Sequence, residues 1–116
     1  MSKEINTIVA LCDFNIINTV CKDIADNKTG IEVSVLLVEE LSELIKAVIK
    51  LERCDMNEIT LRYNIGEIYN NLYEELGDVI IMMLQFIHKN NIEYEKLLNE
   101  ISKKLIRYYE TISDKK

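Results

Sequence analysis

The chain has 116 residues, of which 48% are hydrophobic and 29% charged, with a formal net charge of -6. Its length indicates one domain, residues 1–116, and the absence of proline with only three glycines favours an all-α fold. The acidic balance argues against binding a nucleic acid polymer or an anionic membrane. No signal peptide and no membrane-spanning apolar run is evident, and an odd number of cysteines without a CxxC pair is typical of reduced thiols, so we expect a cytoplasmic protein.

Four helices are predicted from apolar residues that recur three and four positions apart. They cover about residues 3–26, 31–53, 67–89 and 93–113. Gly30 is expected to cap the first helix at its C-terminus. Residues 54–66 are less periodic and are expected to form a loop or a short turn of helix. Asn90-Asn91 predicts a turn before the fourth helix.

Two acidic motifs lie within the apolar faces of the second and third predicted helices. They are Glu39-Glu40-Leu-Ser-Glu43 and Glu74-Glu75-Leu-Gly-Asp78. Because a helix advances about 100° per residue, Glu40 falls in the middle of its apolar face and Glu43 about 60° to one side. Glu75 and Asp78 have the same relation on the third helix. The pattern therefore predicts two adjacent helices that direct matched pairs of carboxylates toward a core.

Four inward carboxylates predict a metal site. Burying an ionised carboxylate without a partner costs several kcal/mol, so a cation is expected among them. Carboxylates three residues apart on a helix can bind one hard cation or bridge two. Mg²⁺ or Mn²⁺ fits better than zinc, because neither cysteine nor histidine joins the cluster. A di-iron bundle would need Glu-x-x-His twice, whereas the chain's one histidine, His88, follows Gln85.

The two motifs resemble those of the MazG-like nucleoside triphosphate pyrophosphohydrolases, over about residues 30–110. The local sequences Leu-Val-Glu-Glu-Leu-Ser-Glu-Leu and Tyr-Glu-Glu-Leu-Gly-Asp-Val carry the resemblance. It implies a four-helix bundle-like fold and hydrolysis of a nucleoside triphosphate to the monophosphate and pyrophosphate. The metal ligands that it implies are Glu40, Glu43, Glu75 and Asp78. Base and sugar preference stay open.

Further residues are expected to act on the substrate. Lys104-Leu-Ile-Arg107 resembles the Lys-x-x-Arg segment with which family members contact the nucleotide phosphates. Lys50 lies about 20° from Glu43 on the helical wheel and is a third candidate for phosphate binding. Glu39, next to the ligand positions, is expected either to orient or deprotonate the attacking water or to complete a second metal shell.

The second and third predicted helices are apolar on two sides, which indicates burial on two sides. The residues opposite the carboxylates are Val38, Leu41, Ile45 and Ile49 on the second helix and Leu76, Ile80, Leu84 and Ile87 on the third. We therefore expect a homodimer or a homotetramer. The alternative function is a non-catalytic helical interaction module whose acidic pairs meet basic residues of a partner.

Overall fold

The computed structural model describes residues 13–55 and 65–114, and within these ranges it contains helices and no strand. The helices are α1 (Phe14–Asp26), α2 (Gly30–Asp55), α3 (Ile65–Lys89) and α4 (Tyr94–Asp114). The predicted all-α fold class is confirmed. None of these helices is long and apolar enough to cross a membrane.

Helix α1 begins at an aspartate cap rather than continuing from residue 3. Asp13 has an extended backbone, with φ -121° and ψ 175°, and its side chain accepts a hydrogen bond from the Ile16 backbone N–H at 3.0 Å. Aspartate is a preferred residue for this capping role. The prediction of one uninterrupted helix over residues 3–26 is therefore wrong at Asp13, and residues 3–12 lie outside the described ranges.

A second cap separates α1 from α2. Thr29 Oγ1 accepts the Glu32 backbone N–H at 3.1 Å and donates to Glu32 Oε1 at 3.2 Å. Gly30 is therefore the first residue of α2, and the C-cap of α1 is Asn27. The predicted role of Gly30 was wrong because the Thr-x-x-Glu spacing, a helix-start signal, overlaps it. The predicted loop is shorter at both ends, since α2 extends to residue 55 and α3 starts at residue 65; residues 56–64 are not described.

Helix α3 packs against both α1 and α2. Near the C-terminal end of α3, the Lys28 ammonium donates to Gln85 Oε1 at 3.1 Å and the Lys89 ammonium donates to the Ala25 carbonyl at 3.1 Å. Lys28, just before α2, thus contacts Gln85 near the end of α3, whereas Glu40, later along the chain, lies close to Glu75, ten residues before Gln85, so the two helices are antiparallel. The buried residues of the described ranges are Cys21, Ala25, Val33, Ala47, Ile68, Val79, Met82, Leu84 and Gln85.

Helix α4 is attached to this core through its first turn. The turn before it places Asn91 at a positive φ of 54°, which confirms the predicted break. The Tyr94 hydroxyl donates to Asn18 Oδ1 of α1 at 2.7 Å. Tyr94 and Leu97 are half-buried, and every other residue of α4 is exposed. In a single chain, therefore, α1, α2 and α3 form the packed unit and α4 extends from it.

Candidate metal centre

Two glutamates occupy positions that the helical repeat assigns to the core. Seven residues make almost two full turns, so residues at i-7, i and i+7 share one helix face. Glu40 lies between Val33 and Ala47 at this spacing, and both neighbours are buried at 0% and 1% exposure. On α3, Glu75 likewise lies between two buried residues, Ile68 and Met82. Both carboxylates are thus directed at the α2–α3 interface by the surrounding apolar side chains.

The structure brings three carboxylates together at this interface. One oxygen from each of Glu40, Glu75 and Asp78 lies within 4.8 Å of the others. Glu40 and Glu75 are half-buried, whereas Asp78 is exposed. Oxygens that share an octahedral Mg²⁺ lie about 2.8–3.0 Å apart when adjacent and about 4.0–4.2 Å apart when opposite, as follows from metal–oxygen bonds of about 2.0–2.1 Å. The three groups are therefore close to the separation that one divalent cation requires.

One carboxylate oxygen of this cluster lacks a hydrogen-bond partner in the part of the chain that the structure describes. Glu75 Oε2 is buried and accepts no hydrogen bond from any of the described residues. A buried carboxylate oxygen in this state costs roughly 1–3 kcal/mol or more, since its hydration is lost without replacement. A cation on this oxygen would remove that cost. The donor set of carboxylate oxygens suits a hard divalent cation such as Mg²⁺ or Mn²⁺.

The clustered carboxylates affect the pKa of Glu40. Burial raises the pKa of the Glu40 carboxyl above its ordinary 4.5, and repulsion from Asp78, Glu75, Glu43 and Glu39 raises it further. Both causes disfavour the charged form, so the apo site resists full ionisation. A bound cation would favour the charged form of these carboxylates.

The other two acidic residues of the first motif stand outside this group of three. Glu43 is exposed, and its carboxylate accepts a hydrogen bond from the Lys46 ammonium at 3.3 Å. The two residues form an i,i+3 ion pair on the surface of α2. Glu39 is also exposed. Both still lie near enough to Glu40 to raise the pKa of its carboxyl. The structure therefore brings together three of the four predicted metal ligands.

The predicted phosphate-binding residues lie at separate places. Lys50 is half-buried, seven residues beyond Glu43 on α2. Lys104 and Arg107 are both exposed on α4, beyond its attached first turn. Within residues 13–55 and 65–114, neither of these two side chains forms an ion pair. In a single chain they are available for a ligand, and the structure does not place them in the carboxylate cluster.

An apolar cavity elsewhere in the fold has no part in this cluster. It measures about 360 Å³ between α1 and α3 and is lined only by apolar side chains, Cys21 and Gly77. Burial raises the pKa of the Cys21 thiol, so this thiol is poorly suited to act as a nucleophile. Phe14, the first residue of α1, is 60% exposed. Sequence reasoning overlooked Gln85, which is 2% exposed and hydrogen-bonded to Lys28; a lone glutamine in a helix carries no signal of burial.

Comparison with protein families identifies the domain that contains this site. The family model of the MazG nucleotide pyrophosphohydrolase domain matches residues 29–112, more than two-thirds of the chain. The chain belongs to the MazG family. The matched range contains both acidic motifs and the Lys104–Arg107 segment of the MazG domain, and it confirms the resemblance read from the sequence. Searches of curated proteins and of solved structures gave no significant match.

Proposed function

We propose that this MazG domain is a divalent-metal-dependent hydrolase that converts a nucleoside triphosphate and water to the monophosphate and pyrophosphate. Family membership supports nucleotide pyrophosphohydrolase activity in general. The observation that carries the metal-dependent proposal is the convergence of Glu40, Glu75 and Asp78, in which the buried Glu75 Oε2 has no hydrogen-bond partner among the described residues. Such a cluster is costly for the apo fold, and a bound cation would offset that cost.

Four carboxylates would hold the metal in this proposal: Glu40, Glu43, Glu75 and Asp78. Glu43 would join the three converged groups by releasing Lys46, and an exposed pair of this kind contributes little stability. A bound Mg²⁺ or Mn²⁺ would supply the positive charge that the triphosphate and the departing pyrophosphate require, and would make water a better nucleophile near neutral pH.

Glu39 is the proposed catalytic residue for the water. Its exposed carboxylate lies one residue from Glu40, so it is adjacent to the metal ligands without being one of the three converged groups. A carboxylate at this position can orient the attacking water and accept its proton. The sequence also allows a second role, in which the Glu39 carboxylate completes the coordination shell of another metal ion. Measuring the number of metal ions bound per chain distinguishes the two roles.

Lys50, Lys104 and Arg107 are proposed to bind the phosphates. The chain carries a net charge of -6, so a triphosphate would be repelled unless local cations and the metal offset that field. Arginine and lysine pairs with phosphate oxygens are among the stronger hydrogen bonds in proteins. Because Lys104 and Arg107 lie beyond the attached turn of α4, the proposal requires this helix to approach the α2–α3 interface in the substrate complex.

We place this activity in a single domain, residues 1–116, that acts in the cytoplasm on small nucleotides rather than on a nucleic acid polymer. We also propose that the active form is a homodimer or a homotetramer. The apolar residues that stay exposed on α2 and α3 support this, among them Val38, Ile45, Ile49 and Ile80. Leu84 is instead buried within the chain.

A pyrophosphate-release screen tests the proposal. The full chain is incubated with each ribo- and deoxynucleoside triphosphate in Mg²⁺, in Mn²⁺ and in EDTA, and products are separated by chromatography. The proposal expects monophosphate and pyrophosphate from at least one substrate, with the reaction abolished by EDTA. Products of diphosphate and inorganic phosphate would contradict it. Full inactivity, together with no thermal stabilisation by either metal, would favour the non-catalytic interaction module.

A further inference from the structure

The Lys46 side chain contacts one of the four proposed metal ligands. Its ammonium donates to Glu43 Oε1 at 3.3 Å, and the Lys46 and Glu43 side chains are 68% and 52% exposed. The ion pair between Lys103 and Glu100 on α4 has the same i,i+3 spacing and a similar length of 3.4 Å. Glu100 belongs to neither acidic motif, so Lys46 is distinguished from Lys103 by its partner rather than by its geometry.

Glu43 lies between Glu40 and Lys46 on the surface of α2. Each step of three residues turns the helix about 60° in the same direction, and side chains three residues apart are neighbours. The Glu43 carboxylate can therefore turn toward Glu40 and join the converged carboxylates, or turn toward Lys46 and leave them. In the structure it takes the second orientation and lies outside the group of Glu40, Glu75 and Asp78.

The charge at the carboxylate cluster determines which orientation is favoured. Without a cation, the negative charges of Glu43 and Glu40 repel each other, whereas the Lys46 ammonium attracts Glu43. A divalent cation among the three converged carboxylates would attract Glu43 with twice the charge of an ammonium. An exposed lysine–glutamate pair contributes little stability, so it would yield to the metal.

We propose that Lys46 changes partner during binding: it holds Glu43 away from the metal-free site and, once Glu43 turns to the metal, binds a phosphate of the nucleotide. The inference rests on the proposed function, since it requires both a metal and a triphosphate. The released ammonium stays three residues from Glu43, where a metal-bound triphosphate would bring negative oxygens. A lysine is a compact charge on a flexible stem, which suits a phosphate partner. Lys46 thereby joins Lys50, Lys104 and Arg107 as a phosphate-binding residue.

This exchange gives Lys46 opposite effects on the two ligands. By competing for Glu43, the ammonium weakens metal binding when no nucleotide is present. By binding a phosphate, it strengthens nucleotide binding. A lysine that only stabilised α2 would change neither affinity of the folded protein. A lysine that acted only through its charge would weaken metal binding whether or not residue 43 carries a carboxylate.

The affinity for Mn²⁺ tests the first effect. Lys46→Met removes the ammonium and keeps an unbranched stem, and it should lower the Kd for Mn²⁺ roughly two- to fivefold, as expected from loss of a competing exposed ion pair. Electron paramagnetic resonance measures free Mn²⁺ while the full chain is titrated without nucleotide. In the Glu43→Gln background the same change should leave the Kd unaltered, because a double-mutant cycle isolates the pair. Lys103→Met, at a lysine that is 69% exposed, is the matched control.

Inorganic triphosphate tests the second effect, because it carries the three phosphates without a base or a sugar. Calorimetric titration in saturating Mg²⁺ should show its Kd raised roughly tenfold or more in Lys46→Met, from loss of one hydrogen bond between charged groups. Lys46→Arg keeps the positive charge and should bind the triphosphate about as well as the wild type. Lys103→Met should have no effect on this affinity.

Tighter Mn²⁺ binding together with weaker triphosphate binding in Lys46→Met would support the inference. It would be overturned by an unchanged Mn²⁺ affinity, by tightening that persists in the Glu43→Gln background, or by a triphosphate affinity that Lys46→Met does not weaken. Those results would leave the proposed hydrolase intact. A wild type that binds no Mn²⁺ and releases no pyrophosphate from any nucleoside triphosphate would instead contradict the proposed function, and the inference with it.

Discussion

Replacing Glu75 by glutamine should make the metal-free protein more stable. The change removes one charge from three carboxylates whose nearest oxygens lie within 4.8 Å of one another. At that separation each repulsive pair costs ~0.9 kcal/mol with the dielectric constant of water and ~3.5 kcal/mol with an effective value of 20. Because Asp78 is exposed, screening favours the lower figure. Removing two pairs should therefore stabilise the apo fold by about 1–2 kcal/mol, or ~4–8 °C in Tm.

The same substitution should reverse the order of stability once metal is present. A cation at one hundred times its Kd stabilises the wild type by about 2.7 kcal/mol, whereas the variant has lost a ligand and gains little. Thermal melts in EDTA, Mg²⁺ and Mn²⁺ measure both effects, and Glu74→Gln, the adjacent exposed glutamate, is the matched control. If Glu75→Gln melted several degrees below the wild type in EDTA, the Glu75 carboxylate would stabilise the apo fold, which is the opposite of the predicted repulsion.

Three further predictions concern the rest of the molecule. The raised pKa of the Glu40 carboxyl means that the folded state keeps a proton that the unfolded state loses, so its stabilising contribution is present below pH 4.5 and is lost as the pH rises through the raised value; denaturant melts in EDTA across this range should show that loss in the wild type and not in Glu40→Gln. Lys104→Ala and Arg107→Ala should each raise KM for the triphosphate roughly tenfold, with Lys103→Ala as the unaffected control in the same steady-state assay. Gly77→Ala should stabilise the protein by about 0.5–1 kcal/mol in denaturant titration, because alanine is the better helix former and an added Cβ meets no atom within 4 Å.

The carboxylate cluster could be predicted from the sequence because helical periodicity alone fixes which residues share a face. Glu40 and Glu75 fall between buried apolar residues, and the structure brings them together with Asp78. On a helical wheel Glu43 and Asp78 have the same angular offset from Glu40 and Glu75. In the structure, however, Glu43 pairs with Lys46 and lies outside the group of three carboxylates. Which offset residue joins the cluster depends on how the two helices are rotated against each other, and packing sets that rotation.

The helix boundaries show where periodicity fails. The apolar pattern continues in phase across Asp13, so it could not reveal that the backbone there is extended. The capping preference of aspartate, and the Thr29-x-x-Glu32 spacing, were the local signals available. Helix α4 shows a different limit: its amphipathic pattern predicted a helix correctly, but a pattern does not state which surface covers the apolar side, and in a single chain that side is exposed.

A catalytic role of the carboxylate cluster is tested by comparing pyrophosphate release by the wild type, Glu75→Gln and Glu74→Gln on one nucleoside triphosphate in Mg²⁺. If the converged carboxylates hold the metal for catalysis, Glu75→Gln should lower kcat/KM by at least about 10², because metal activation and charge neutralisation both fail. Glu74→Gln, which carries the same chemical change one residue away, should retain wild-type activity. Full activity in Glu75→Gln, or an equal loss in both variants, would contradict the claim that this cluster is the catalytic metal site.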